Sequence, residues 1–302
     1  MTTPVPDPAA APHAPAQSAT ETALHEQYFG HEHLTVIEPP GRFDLLDVRE
    51  LWAYRELLFT LARRQVSLRY KQTVLGAGWA IVQPVMQMVV FTVLFGRIAK
   101  IPSDGFPYPV FVFSGLLPWT YFTSAASSAL GSLVGNSHLL TKVYFPRLII
   151  PLAAVTAALV DFAVASGVLL ALLLFYGVAL TPSLLLLPVV VLGLVLAATG
   201  IGTGLGALNV SYRDLGHVMP FFMQLWLYAT PVIYPARLVP ESFRLVVQLN
   251  PLTGLIEAFR ACALGQPLDF AALGVSLLIA AVLFVTGTLY FHAVERRFAD
   301  VV

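Results

Sequence analysis

Gln83, Gln87, Phe91 and Phe95 recur every four residues, so they share roughly one face of a helix. Side-chain amides hydrogen-bond hydroxyl groups and aromatic faces cover C–H surfaces, so this stripe suits a hydroxyl-rich ligand of low charge. It equally fits ordinary membrane packing, where Gln side chains join helices and aromatic rings gather at interfaces. Just upstream lie Arg63, Arg64, Arg69 and Lys71. Their donors could hold a phosphate group by charge-assisted hydrogen bonds; the alternative is attraction to anionic lipid, worth about 1 kcal/mol per residue. A third group is Asn136–Arg147, NSHLLTKVYFPR. There His138, Lys142 and Arg147 can meet acidic groups, while Leu139, Leu140, Tyr144 and Phe145 offer an apolar anchor of the kind that dominates interfaces. An adjacent Tyr and Phe on a water-facing loop are a liability unless something covers them. The competing reading is a basic loop that only fixes topology.

Other chemistry is sparse. The one cysteine, Cys262, can form no disulfide within the chain, and His25, His31 and His33 are too loosely spaced for a metal motif. No GxxxxGK[ST] run supplies a phosphate-cradling loop, and Gly200, Gly202, Gly204 and Gly206 lie in an apolar stretch where glycines let helices approach. Asp161 is the single acid deep in such a stretch and is expected to pair, with Arg213 or a helix-end donor. Glu257 and Arg260, three apart, are expected to pair with each other. Asp104, Glu241 and Asp269 form no clustered acid–base set of the sort an enzyme needs.

The elements that must carry these residues are membrane helices. The chain is 57% hydrophobic and only 11% charged, against about 25% charged in soluble domains. Basic and acidic residues balance at 17 each, which gives no reason to expect nucleic acid as a partner. Six apolar segments approach the roughly 20 residues that span a bilayer: 79–98, 110–133, 148–176, 184–208, 217–234 and 270–292. Pro84 is expected to kink or open the first. Residues 1–46 read as a flexible tail, and 47–66 as an amphipathic interface helix opened by an Asp47/Glu50 capping box, with Leu51, Tyr54, Leu58, Leu61 and Ala62 on its apolar face. Residues 67–302 form the transmembrane domain. Within it, 236–267 should hold two half-helices too short to span, the second opened by Asn250–Pro251 and closed by Gly265. The fold class expected is thus an all-α integral membrane protein. Twelve of the 17 basic residues fall on one side of this topology, which makes both termini and Asn136–Arg147 cytoplasmic.

Five stretches resemble one known family in the same order: RYKQTVLGAGWAIVQPV at Arg69–Val85, TKVYFPR at Thr141–Arg147, NVSYRDL at Asn209–Leu215, YATPVIYP at Tyr228–Pro235 and LNPLTGLIEAFR at Leu249–Arg260. The family is that of ABC-2-type permeases that export O-antigen and teichoic-acid polysaccharides. The resemblance implies a homodimer in the bacterial inner membrane, docked on a separate ABC ATPase that binds ATP and Mg, with no cofactor in this chain. It makes Asn136–Phe145 the helix that couples to the ATPase, and gives a lipid-linked polysaccharide as cargo. On that reading Gln83, Gln87, Phe91, Phe95, Trp119, Tyr121, Trp226 and Tyr228 line a glycan channel. Arg63, Arg64, Arg69 and Lys71 then hold the lipid headgroup at its entrance. Two other classes stay open: an ABC-2 exporter of teichoic acid, capsule or a small amphiphile, and a membrane-embedded transferase acting on lipid-linked sugars.

Overall fold

The computed structural model describes residues 48–71, 76–142 and 145–295. The tail with its histidines, Asp47 and Tyr144 lie outside them. Among the described residues every regular element is helical. Helices α1 (Val48–Ala53) and α2 (Arg55–Tyr70) meet at Tyr54, so the expected single interface helix is two helices, the second running on to Tyr70. The apolar face read from the sequence is the one that packs: Leu51, Tyr54, Leu57, Leu58 and Leu61 abut a buried cluster, and Ala62 packs with Ala153 and Ala157.

Helix α3 (Trp79–Phe91) runs unbroken through Pro84 and widens into a π-helix at Thr92–Ile98. The helix is irregular instead from Thr92, about two turns downstream of Pro84. Gly96 sits there against the Tyr108 ring, with room for no larger residue unless the ring moves. Helix α4 (Tyr108–Gly135) is the axis of the fold. Eighteen of its 28 residues are buried, and α6 (Ile149–Phe175) and α7 (Leu187–Ser211) pack along it. Short α5 (Ser137–Lys142) joins α4 to α6.

Helices α7 and α11 (Phe270–Glu295) form the most extensive helix pair. A Cβ at Gly200 would strike the backbone of Leu283 and Phe284, and one at Gly287 the carbonyl of Gly200. The glycine series thus serves close helix packing, as expected of small residues in membrane helices.

Among the described residues, four helical stretches are long and apolar enough to cross a membrane: Trp79–Ile98, Ile149–Phe175, Pro182–Ser211 and Phe270–Glu295. Helix α4 has the length, but its hydroxyl and glycine residues keep it out of that set. Helix α8 (Leu215–Ala229) differs from the expected 217–234 span. Its 15 residues rise roughly 22 Å, short of the ~30 Å hydrocarbon core, and the chain turns extended at Thr230 before Pro231.

The next stretch holds α9 (Glu241–Gln248) and α10 (Pro251–Leu264). The Asn250 carboxamide oxygen accepts from the Leu252 N–H at 3.1 Å, Pro251 takes the first turn, and Gly265 closes the helix in the left-handed region at φ 69°. Helix α10 is buried everywhere except at Glu257. Arg260, 3% exposed, donates to the carbonyls of Pro231 (3.2 Å) and Val232 (2.6 Å) and lies over the Phe111 ring. Arg260 and the expected partner Glu257 still attract each other, but the guanidinium's hydrogen bonds go to these carbonyls, because the broken backbone after α8 leaves them to be satisfied away from water. Tyr108 serves the same turn, its hydroxyl donating to the Ile233 carbonyl at 2.8 Å.

Candidate substrate cavity and coupling segment

A cavity of about 620 Å³ opens between α2, α3, α4, α6 and α8. That volume lies in the range of about 300–1,000 Å³ typical of ligand sites. Gln83 and Gln87 of α3 form one wall, and Trp119 and Tyr121 of α4 another. Between them runs a row of hydroxyls, Thr120, Thr123, Ser124, Ser127 and Ser128. These recur three and four apart because α4 presents one polar face to the cavity.

Two of the lining groups are buried polar atoms with no partner among the described residues: the Tyr121 hydroxyl, on a side chain 3% exposed, and the Gln87 carboxamide oxygen. Buried polar atoms are ordinarily paired. Both atoms are shielded from the cavity as it stands; bared by a small movement of the wall, one donor and one acceptor would match the needs of a hydroxyl group, which gives one hydrogen bond and takes others.

Charge at the cavity is balanced. Arg69 of α2 pairs with Asp161 of α6 and reaches the Ser128 hydroxyl at 3.3 Å, and the Tyr70 hydroxyl donates to the other Asp161 oxygen. Asp161 therefore pairs with Arg69 and not with Arg213. The pairing spans 92 residues, so no local spacing could disclose it.

The sequence profile of the ABC-2 type transporter family matches residues 56–264. The chain belongs to the ABC-2 type transporter family. It is 33% identical over 256 residues to the O-antigen export system permease protein RfbA of Myxococcus xanthus, covering 84% of this chain and 98% of that one. It is 28% identical over 249 residues to the protein of the same name from Klebsiella pneumoniae, covering 82% and 95%. With the polysialic acid transport protein KpsM of Escherichia coli it shares 24% over 211 residues, covering 65% and 77%.

Within this ABC-2 fold the residues singled out from sequence separate into groups. Gln83, Gln87, Trp119 and Tyr121 meet at the cavity. Phe91 and Phe95 do not: they stack edge to face, 5.7 Å apart, and pack on the core. Trp226 supports the wall from behind, edge-on to Trp119 and Phe122, and Tyr228 is exposed away from the lining. Of the four basic residues, only Arg69 lines the cavity; Arg63, Arg64 and Lys71 are exposed. The hydroxyl row of α4 was missed by sequence reasoning, though its spacing carried the signal.

In the stretch Asn136–Arg147, expected from sequence to couple to a partner, His138 is exposed and Leu139 leans on a buried cluster. The side chains of Leu140 and Lys142 fall outside the described set, as does Tyr144 entirely. Phe145 corrects the sequence reading. It is 7% exposed, sunk among Leu133, Leu148, Ile149, Ile150, Ala207, Val210 and Phe291, so the chain covers this ring itself. Arg147 also turns inward, donating to the Glu295 carbonyl at the end of α11.

Proposed function

We propose that this chain is the permease subunit of an ATP-driven exporter that moves lipid-linked, O-antigen-like polysaccharide from the cytoplasmic side of the bacterial inner membrane. The observation that carries the proposal is the cavity wall: unpartnered Tyr121 and Gln87, a row of five hydroxyls and the Trp119 ring, with a single charge pair that cancels. Such a wall exchanges hydrogen bonds with sugar hydroxyls and covers sugar C–H faces without repelling a neutral polymer. The relationship to the two O-antigen permeases supports the same cargo.

In this reading the chain spans the membrane six times, with α4 as the second span and α8, too short alone and continued by the turn 230–234, as the fifth. Both termini are cytoplasmic, and α9 and α10 dip into the external leaflet. Two copies face one another, and each docks on a separate ATPase that holds ATP and Mg. ATP binding closes the ATPases, their motion pushes α5, the spans of the two copies separate, and a path opens. Hydrolysis resets the dimer. His138, Lys142 and Tyr144 meet the ATPase, while Phe145, Leu139 and Arg147 carry the push into the protein.

The test is reconstitution with the neighbouring ATPase in vesicles, scoring ATP turnover with and without lipid-linked polysaccharide, beside Lys142→Glu and Tyr144→Ala. Glycan-stimulated turnover that both variants lose is the expected result. Turnover that answers a small amphiphile but ignores glycan moves the assignment to a lipid or small-molecule exporter. Failure of any ATPase to associate removes the permease reading.

A further inference from the structure

Arg69 is the cation best placed to receive a phosphate-bearing headgroup, yet its guanidinium is already engaged by Asp161. Both side chains remain partly accessible, at 31% and 22%, so the pair borders the cavity and is not sealed in the core. Three helices meet there, since Arg69 and Tyr70 come from α2, Ser128 from α4 and Asp161 from α6. Asp161 has a second donor in the Tyr70 hydroxyl, and so does not depend on Arg69 alone. Burial first, and the bond to Asp161 second, push the Tyr70 hydroxyl up to about 12, so it stays protonated and able to donate at any working pH. Arg69 likewise has a second contact, the Ser128 hydroxyl, which can steady it while it changes partner.

We propose that Asp161 is an internal stand-in for the substrate's phosphate: a phosphate-bearing headgroup binds by taking Arg69 from Asp161, and Tyr70 keeps hold of the released carboxylate. The inference rests on the exporter reading and deepens it, since it names the group recognised and the residue that must yield. An empty cavity then stays neutral and latched across α2, α4 and α6. Neutral lipids cannot open it, because they offer Arg69 nothing to replace the carboxylate. An anionic headgroup offers more oxygens and more charge than one carboxylate, so it wins the guanidinium fork. The internal competitor lowers apparent affinity by the fraction of time that the pair is closed.

The full-length chain is purified into neutral phosphatidylcholine nanodiscs, without the ATPase, which binds phosphates itself. Binding of radiolabelled farnesyl pyrophosphate and of inorganic pyrophosphate is measured separately. Asp161→Asn is expected to bind the probe about tenfold more tightly than wild type, as for a pair closed about nine-tenths of the time. Arg69→Gln and the double variant Arg69→Gln/Asp161→Asn are expected to lose binding. Tightening with farnesyl pyrophosphate alone identifies a lipid-borne phosphate as the ligand; tightening with both probes shows that the phosphate suffices. Unchanged or weakened affinity in Asp161→Asn for both probes overturns the proposal.

Should thermal melting show Asp161→Asn to be unfolded, the charge swap Arg69→Asp/Asp161→Arg restores the pair. It is expected to bind within about threefold of wild type, because the cavity keeps one cation and one competitor. A swap that binds no better than Arg69→Gln overturns the stand-in role. If the wild-type complex shows glycan-stimulated turnover while Asp161→Asn leaves affinity unchanged, this inference alone falls. If no ATPase associates, the functional reading beneath it falls instead.

Discussion

Tyr121 separates function from stability at a single atom. Its ring packs edge to face on Phe162 at 5.3 Å, but its hydroxyl finds no partner among the described residues. Tyr121→Phe keeps the ring and removes only the unpaired group, so the melting temperature should hold or rise slightly, since loss of an unpaired buried polar group is at worst neutral. Glycan-stimulated ATP turnover should need about three- to tenfold more glycan, the effect of about one lost hydrogen bond. Parallel melting and turnover curves check this; a drop in both together makes Tyr121 merely structural. How far such residues could be read beforehand depended on the range of their partners. Gln83, Gln87, Trp119 and Tyr121 announced themselves as polar or aromatic groups on apolar helices. Asp161 announced only its need for a partner, because Arg69 reaches it through tertiary folding. Phe145 misled for the opposite reason: an aromatic in a loop looks exposed until the cluster around Phe291 is assembled.

At the scale of elements, the glycines of α7 and α11 divide by what surrounds them. Gly200 faces backbone, whereas Gly274 has open space where a Cβ would stand. Gly200→Ala should force α7 and α11 apart and destabilise by about 1–3 kcal/mol. Gly274→Ala, in helical backbone with room, should stabilise by roughly 0.5–1 kcal/mol. Unfolding of both variants in mixed micelles with increasing SDS checks the opposite signs. Element limits were legible where a local device sets them. Asn250, Pro251 and Gly265 marked α10 to the residue because cap, first turn and left-handed stop are all local chemistry. The end of α8 was passed over because the apolar run continues through 234, although Pro231 within it is a local helix breaker. Thr230–Pro231, and the distant Arg260 that donates to the freed carbonyls, bring that helix to a close.

For the whole molecule, the segment proposed to receive the push is tied to the far end of the chain. Phe145 and Phe291 share a cluster, Arg147 holds the Glu295 carbonyl, and α11 leans on α7 along its length. A stroke on α5 therefore reaches α11 directly, and through α7 the central helix. Arg147→Ala should leave ATPase association intact, because the contact surface of α5 is untouched. Glycan export should fall about tenfold or more while basal ATP turnover persists, since one lost charge-assisted bond of about 1.5–3 kcal/mol uncouples the stroke from the helices. Co-purification, turnover and export measured on one preparation check this; loss of association would make Arg147 part of the docking surface.

The π-helical stretch Thr92–Ile98 bears on how such a channel can diversify. A π-turn holds one residue more than the α-turn it replaces, and successive α-helical residues differ by about 100° in heading. Gain or loss of one codon there is absorbed in the widened turn, while Gln83 and Gln87 upstream keep their aim. Lineages can thus alter the outer end of this helix by a change of length while the cavity wall upstream is left alone. In a gene alignment, that would appear as a gap in the midst of an otherwise uninterrupted hydrophobic segment.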